Sequence, residues 1–109
     1  MFVNLTPHTI TIVHNDAKIE IPPSGNVARV TSSMEVVGEI NGIPVSRATY
    51  GSVEGLPAPQ DGTVYIVSSL VLSALAGSRP DVVAPDTSPT GAVRDEAGRI
   101  VGVRGFQII

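Results

Sequence analysis

The chain has no cysteine and no tryptophan. Without a thiol, disulfides, thiolate catalysis and cysteine-ligated zinc are all excluded. Aromatic residues fill only 4 % of the 109 positions, against a hydrophobic share of 42 %. The core must therefore be built from Val, Ile, Leu and Ala. No apolar run approaches the ~20 residues that a membrane helix needs. The longest, near Leu70–Ala76, falls far short. No lysine or arginine run exists either: Lys18 is the only lysine, six arginines are scattered, and the net charge is −3. A polymeric nucleic-acid partner needs a basic footprint, so none is expected. Two histidines, His8 and His14, sit in a loop and a turn with no carboxylate at ligand spacing. That pattern implies no metal site, and nothing in the sequence implies a cofactor. The N-terminus turns polar at Asn4 and meets Pro7 at once, so no secretory leader is legible. A cytoplasmic protein without a membrane span is the expectation. Charged residues are sparse at 16 %. Apolar surface left uncharged is usually covered by a partner, which points to a homo-oligomer, or else the small domain is simply Val-rich.

What is present reads as one β-rich domain over residues 1–109, α+β in class, with hairpins and one short buried helix. Thr9–Val13 and Lys18–Ile21 alternate apolar and polar residues around the turn His14–Ala17, a hairpin pattern. Phe2–Leu5 and Val27–Thr31 are read as further short strands. Met34–Ile40 and Ile43–Thr49 flank Asn41-Gly42, the strongest short hairpin signal, because a type I′ turn needs positive φ at both central residues. Pro44 confines the second arm to an edge or a bulge, since proline cannot donate to a ladder. The Pro-rich connector 55–62 has few conformations open to it and suits a fixed path across the surface.

The richest stretch runs from Gly62 to Arg104. Thr63–Val67 is apolar without strict alternation, as in a strand covered on both faces. Ser68 or Ser69 suits the N-cap of a helix over Ser68–Ala76, whose near-continuous apolar surface predicts burial on most sides. Gly77 suits the position that closes it. Val82–Ala84 is a short buried strand. Gly91–Asp95 and Arg99–Phe106 bracket the turn Glu96-Ala97-Gly98.

This stretch also carries the candidate chemistry. Four of the six arginines are here: Arg79, Arg94, Arg99 and Arg104. Arginine suits bidentate contact with phosphate or carboxylate, and equally suits surface ion pairs. The Ser68-Ser69 helix start offers backbone N–H groups to an anion, or its serines satisfy those groups themselves. No G-x-S-x-G surrounds these serines, and nothing marks a partner base. Asp81 and Asp86 flank one strand, where they serve either as a carboxylate pair or as loop caps. The loop Asp86-Thr87-Ser88 lies between Pro85 and Pro89, a placement that favours pre-organisation. Its donors and acceptors match ribose hydroxyls and base edges. Arg94 and Arg104, on the arms of the last hairpin, clamp a phosphate if they face it. Tyr65 or Phe106 is either a stacking platform or plain core.

Five stretches carry a resemblance: Asn4–Ile10 (NLTPHTI), Tyr50–Pro57 (YGSVEGLP), Gly62–Ser68 (GTVYIVS), Arg79–Thr87 (RPDVVAPDT) and Val93–Arg104 (VRDEAGRIVGVR). They resemble small phage and actinobacterial proteins, and through them the phage anti-Thoeris "sponge" family. The resemblance implies a small β-rich homo-oligomer, dimeric or higher, with no enzymatic activity. Such a protein sequesters cyclic nucleotide signals of bacterial immunity, such as cyclic ADP-ribose isomers, without cleaving them, and so counteracts anti-phage defence. Some members of the family hold cyclic oligonucleotides at a second site. The carry-over reaches only the loop at Asp86 and Thr87 and the late Arg104. Where the family uses an amide in that loop, this chain has Asp86 and Thr87. On this reading Arg104, with Arg94 or Arg79, meets phosphate, Asp86 and Thr87 meet ribose or base, and Ser68 offers the helix start. Two rival readings stand beside it: a structural or interaction module without a small ligand, and a nucleotide-cleaving enzyme using His8 or His14.

Overall fold

The computed structural model describes all residues, 1–109. Ten strands and one helix follow each other in the order β1 (Phe2–Asn4), β2 (Ile10–His14), β3 (Ala17–Ile21), β4 (Ser32–Ile40), β5 (Ile43–Tyr50), β6 (Val64–Ile66), α1 (Ser69–Leu75), β7 (Val82–Pro85), β8 (Ala92–Arg94), β9 (Ile100–Val103) and β10 (Phe106–Gln107). They form two four-stranded sheets, β1-β6-β7-β10 and β3-β2-β9-β8, and a separate ribbon, β4-β5. The fold is α+β and rich in strand, as the sequence predicts.

The first sheet is the middle layer. Its strands β1, β6 and β7 are parallel, and β10 closes it antiparallel to β7. Alternation along β6 and β7 decides what each face meets. Tyr65, Val67, Val82 and Ala84 pack with Val71 and Leu72 of α1 and with Leu5 and Ala28. Ile66, fully buried, packs with Ile10 and Ile12 of β2 and Val103 of β9, with Val83 beside it. The β6 strand is therefore covered on both faces, which is why its sequence does not alternate.

The helix is covered on one side. Val71 and Leu72 are buried, whereas Leu70 is 43 % exposed. A nearly continuous apolar sequence does not turn every position inward when only one layer lies beneath. Ser68 is the N-cap, its Oγ accepting from the Val71 N–H at 3.3 Å. The left-handed turn that ends the helix starts at Ala76 (φ 51°), one residue before Gly77 (φ 81°).

Both short hairpins use left-handed pairs at the turn. Asn41-Gly42 has φ of 52° and 79°, and Asn15-Asp16 has 49° and 64°. Pro44 stands opposite Glu39 on β5, whose outer edge has no partner strand. Val27–Thr31 does not become a strand. Its amides divide between two partners, Ala28 N–H to the Leu5 carbonyl and Arg29 N–H to the Glu54 carbonyl, leaving one bridge, Arg29 with Glu54. The last hairpin is shorter than its pattern suggests. β9 stops at Val103, and Phe106 crosses to the first sheet to pair with Pro85.

Ile66→Ala should cost about 3–4 kcal/mol, because it empties the space between the two sheets. Leu70→Ala should cost under about 1 kcal/mol, as its side chain is already half in water. Urea unfolding of the two variants beside wild type measures both.

Candidate functional site

Asn4, at the end of β1, is only 1 % exposed, and its side chain makes four hydrogen bonds. Its Nδ2 donates to the carbonyls of His8 (2.8 Å) and Ile21 (3.0 Å). Its Oδ1 accepts from the Thr6 N–H (2.9 Å) and the Thr6 hydroxyl (2.7 Å). One amide thus shapes the turn Thr6-Pro7-His8 and ties it to the end of β3. The Asn4 carbonyl also accepts from Ser24 N–H. Sequence reasoning singled out the turn and passed over Asn4, whose type does not announce burial.

That turn forms one wall of a cleft of about 410 Å³. Thr9, Ile10 and Thr11 continue this wall. Ser68 and Ser69 at the start of α1 and Pro85 and Thr87 after β7 form the second wall, and Ile100–Val103 of β9 form the third. Ile10, Ile100, Val101 and the two prolines give it an apolar lining. The hydroxyls of Thr9, Thr11 and Thr87 have no partner inside the chain. The other hydroxyls are engaged: Thr6 with Asn4, Ser68 as the cap, and Ser69 accepting from Gln107 Nε2 at 3.2 Å.

The loop after β7 is built from its own side chains. Asp86 Oδ1 accepts from the Ser88 N–H at 3.0 Å, and Ser88 Oγ accepts from the Gly91 N–H at 3.3 Å. Hydrogen bonding from the Ser88 side chain and backbone to its carboxylate holds the Asp86 carboxyl below the usual range. The Gly91 Cα lies against Asp86, so a Cβ there would overlap the carboxylate and approach the Asp86 carbonyl oxygen to 2.6 Å. Pre-organisation is present, but the Asp86 carboxylate supplies part of it rather than standing free.

The arginines lie elsewhere; none of them lines the cleft. Arg79 pairs with Asp81 through Nε–Oδ1 and Nη2–Oδ2, both 2.9 Å, and also donates to the Pro57 carbonyl at 2.8 Å. This pins the Pro-rich connector, as does Tyr65, whose hydroxyl donates to the Ala58 carbonyl. Hydrogen bonding to Asp81 raises the Arg79 pKa, and Arg79 lowers that of Asp81. Asp81 is thus an arginine partner, not half of a carboxylate pair with Asp86. Arg94 donates to the Gly98 carbonyl across its turn, at 2.7 Å. Arg104 Nη1 donates to the Ala92 carbonyl (3.1 Å), and its N–H to that of Gly91 (2.7 Å). It therefore steadies the loop from behind. Neither aromatic candidate reaches the cleft: Tyr65 is core, and Phe106 packs on Phe2 with centroids 5.3 Å apart. Of the residues singled out in the sequence, Ser68 and Thr87 line the cleft, and His8 joins them from the turn. No cluster of three or more His, Asp or Glu residues is arranged to hold a metal. No helix is long and apolar enough to cross a membrane.

Comparison with protein-family models, with curated proteins and with solved structures finds no match.

Asn4→Ala should lower stability by about 2–4 kcal/mol, because it strands a buried N–H and two carbonyls. Chemical denaturation measures the loss. Acid should destabilise the chain in a defined window. Asp81 and Asp86 have folded-state pKa values below the unfolded value of ~3.9, so their contribution is intact above it. It is lost as pH falls below about 4, where the unfolded chain takes up protons first. Urea midpoints between neutral pH and pH 2.5 should trace this fall, and Asp81→Asn should make it shallower.

Proposed function

We propose that this chain is a non-catalytic binding protein that sequesters a cyclic nucleotide signal, a cyclic ADP-ribose isomer or a cyclic oligonucleotide, against bacterial anti-phage defence. The observation that carries the reading is one of convergence. Four of the five stretches that resemble the sponge proteins meet at one cleft, through Thr6–Ile10, Ser68, Pro85 with Thr87, and Ile100–Val103. They are far apart in sequence and share no element of the fold.

The cleft's volume, about 410 Å³, lies within the ~300–1,000 Å³ range of small-molecule sites. Its chemistry suits a nucleoside. The free hydroxyls of Thr9, Thr11 and Thr87 donate to and accept from ribose hydroxyls and base edges. Ile10, Ile100 and Val101 cover an apolar base face. The phosphates lie toward the open side, since no arginine of the chain lines the cleft. Arg104 acts by holding the Thr90–Ala92 backbone. Arg79 acts by fixing the connector. The role in a bacterial host places the protein in the cytoplasm, free to meet a diffusible signal.

Isothermal calorimetry with cyclic ADP-ribose isomers and with cyclic di- and trinucleotides tests the reading. At least one should bind with a Kd below about 100 μM. Thr87→Val and Thr11→Val should each weaken binding about 5–10-fold, the worth of one hydrogen bond. Arg79→Ala should leave affinity unchanged, and mass spectrometry should recover the ligand uncleaved. Absence of heat with every compound overturns the proposal, and cleavage overturns its non-catalytic part.

A further inference from the structure

The chain has four asparagines, and the structure gives each a different setting. An asparagine side chain is an electrophile that the backbone nitrogen of the next residue can attack. Three conditions favour the attack: an uncrowded following residue, an unengaged nitrogen, and a backbone free to leave its resting conformation.

Asn4 meets none of them. It is 1 % exposed, its amide is hydrogen-bonded at both ends, and the Leu5 N–H donates to the Ile66 carbonyl at 2.8 Å. Asn15 has its Nδ2 against His14 Nε2 at 3.2 Å, and the carboxylate of the following Asp16 opposes negative charge on the attacking nitrogen. Asn26 precedes Val27, whose branched Cβ crowds the approach. Asn41 alone precedes a glycine. The Gly42 N–H has no acceptor within the chain, and a Cβ on Gly42 would find nothing within 4 Å. The side-chain hydrogen bonds of the arm lie at its base, between Ser33 and Thr49, and Asn41 makes none.

The backbone at Asn41 also yields easily. Ring closure needs it to rotate out of the left-handed turn, where the φ values are 52° and 79°. That turn joins β4 to β5, which pair with each other and with no other strand. Every residue from Ser32 to Ala48 is exposed. An isolated two-stranded hairpin is marginal in water, so the tip opens far more readily than the two cores. The bulge between Val36 and Gly38 loosens the ladder just behind it.

We propose that Asn41-Gly42 is a site of spontaneous covalent modification. The Gly42 nitrogen gives its proton to hydroxide and bonds to Asn41 Cγ. The Cγ–Nδ2 bond breaks, and ammonia leaves a succinimide. Water reopens the ring. Cleavage between the nitrogen and Cγ gives aspartate, and cleavage between the nitrogen and the Asn41 carbonyl carbon gives isoaspartate. Either product adds one negative charge to the net −3. Isoaspartate also lengthens the main chain by one carbon. Hairpin register depends on turn type and loop length, so β4 and β5 lose theirs. The two sheets share no ladder with the arm and keep theirs. The inference is independent of the cleft, none of whose lining residues belongs to the arm.

Incubating the full chain at mildly alkaline pH, with peptide mass mapping over time, tests the proposal. Asn41 should gain one mass unit about 10-fold or more faster than Asn4, Asn15 or Asn26, in line with its readier opening. Electron-transfer fragmentation should show isoaspartate in excess of aspartate. Asn41→Gly keeps a turn-compatible Gly-Gly pair and should abolish the gain at the tip with circular dichroism unchanged. The cysteine-free sequence permits a clamp. Val36 and Ser46 are partners across the ladder, and an oxidised Val36→Cys/Ser46→Cys variant should slow the reaction several-fold. In the aged wild type, amide resonances of Val36–Ser46 should shift while those of Thr9–Thr11 hold. No gain at Asn41, an earlier gain at another asparagine, or a rate indifferent to the clamp would each overturn the proposal.

Discussion

The side-chain amide of Asn4 is the interaction on which the rest of the architecture depends. β1 belongs to the first sheet, and the carbonyl of Ile21 closes a hairpin of the second. The Asn4 amide joins them at 3.0 Å and fixes the Thr6–His8 turn between them. A buried amide is tolerated only when its donors and acceptors are met, and here each of them is. The same requirement makes the geometry specific: any shift of the turn would leave a buried polar group unmet. The wall that Thr6–Thr11 give to the cleft follows from this one residue.

A second economy runs through the site. Groups that look reactive in isolation are consumed by structure. Ser68 caps the helix, the Asp86 carboxylate holds the Ser88 amide, and Arg79 and Asp81 lock the connector to β7. What remains free are neutral hydroxyls and the His8 imidazole on an apolar lining. On the proposed reading, such a surface would recognise a sugar and a base by shape and hydrogen bonding rather than by charge.

Much of the fold was legible because local patterns there have a single solution. Asn41-Gly42 demanded its turn, the unalternating Thr63–Val67 run demanded cover on both faces, and Ser68 stood where a cap belongs. The sequence misled where the outcome rests on distant partners. Val27–Thr31 has strand composition, but its amides are taken by Leu5 and Glu54. Leu70 belongs to an apolar helix yet faces water, because nothing in the local pattern says that only one layer lies beneath. The arginines were grouped by sequence position, while their guanidinium groups settle on carbonyls, on Asp81 and on Asp95. The cleft itself was half visible: Ser68 and Thr87 belong to it, and Thr9, Thr11 and β9 enter only through the parallel pairing of Ile12 with Val103.

The most direct test of the central claim maps where a ligand touches the chain. Amide resonances followed by two-dimensional NMR during titration with cyclic ADP-ribose isomers and cyclic oligonucleotides would do so. The account predicts perturbations centred on Thr9–Thr11, Thr87 and Ile100–Gly102. Perturbations confined to the Arg94–Arg99 turn, or none with any of these compounds, would contradict it.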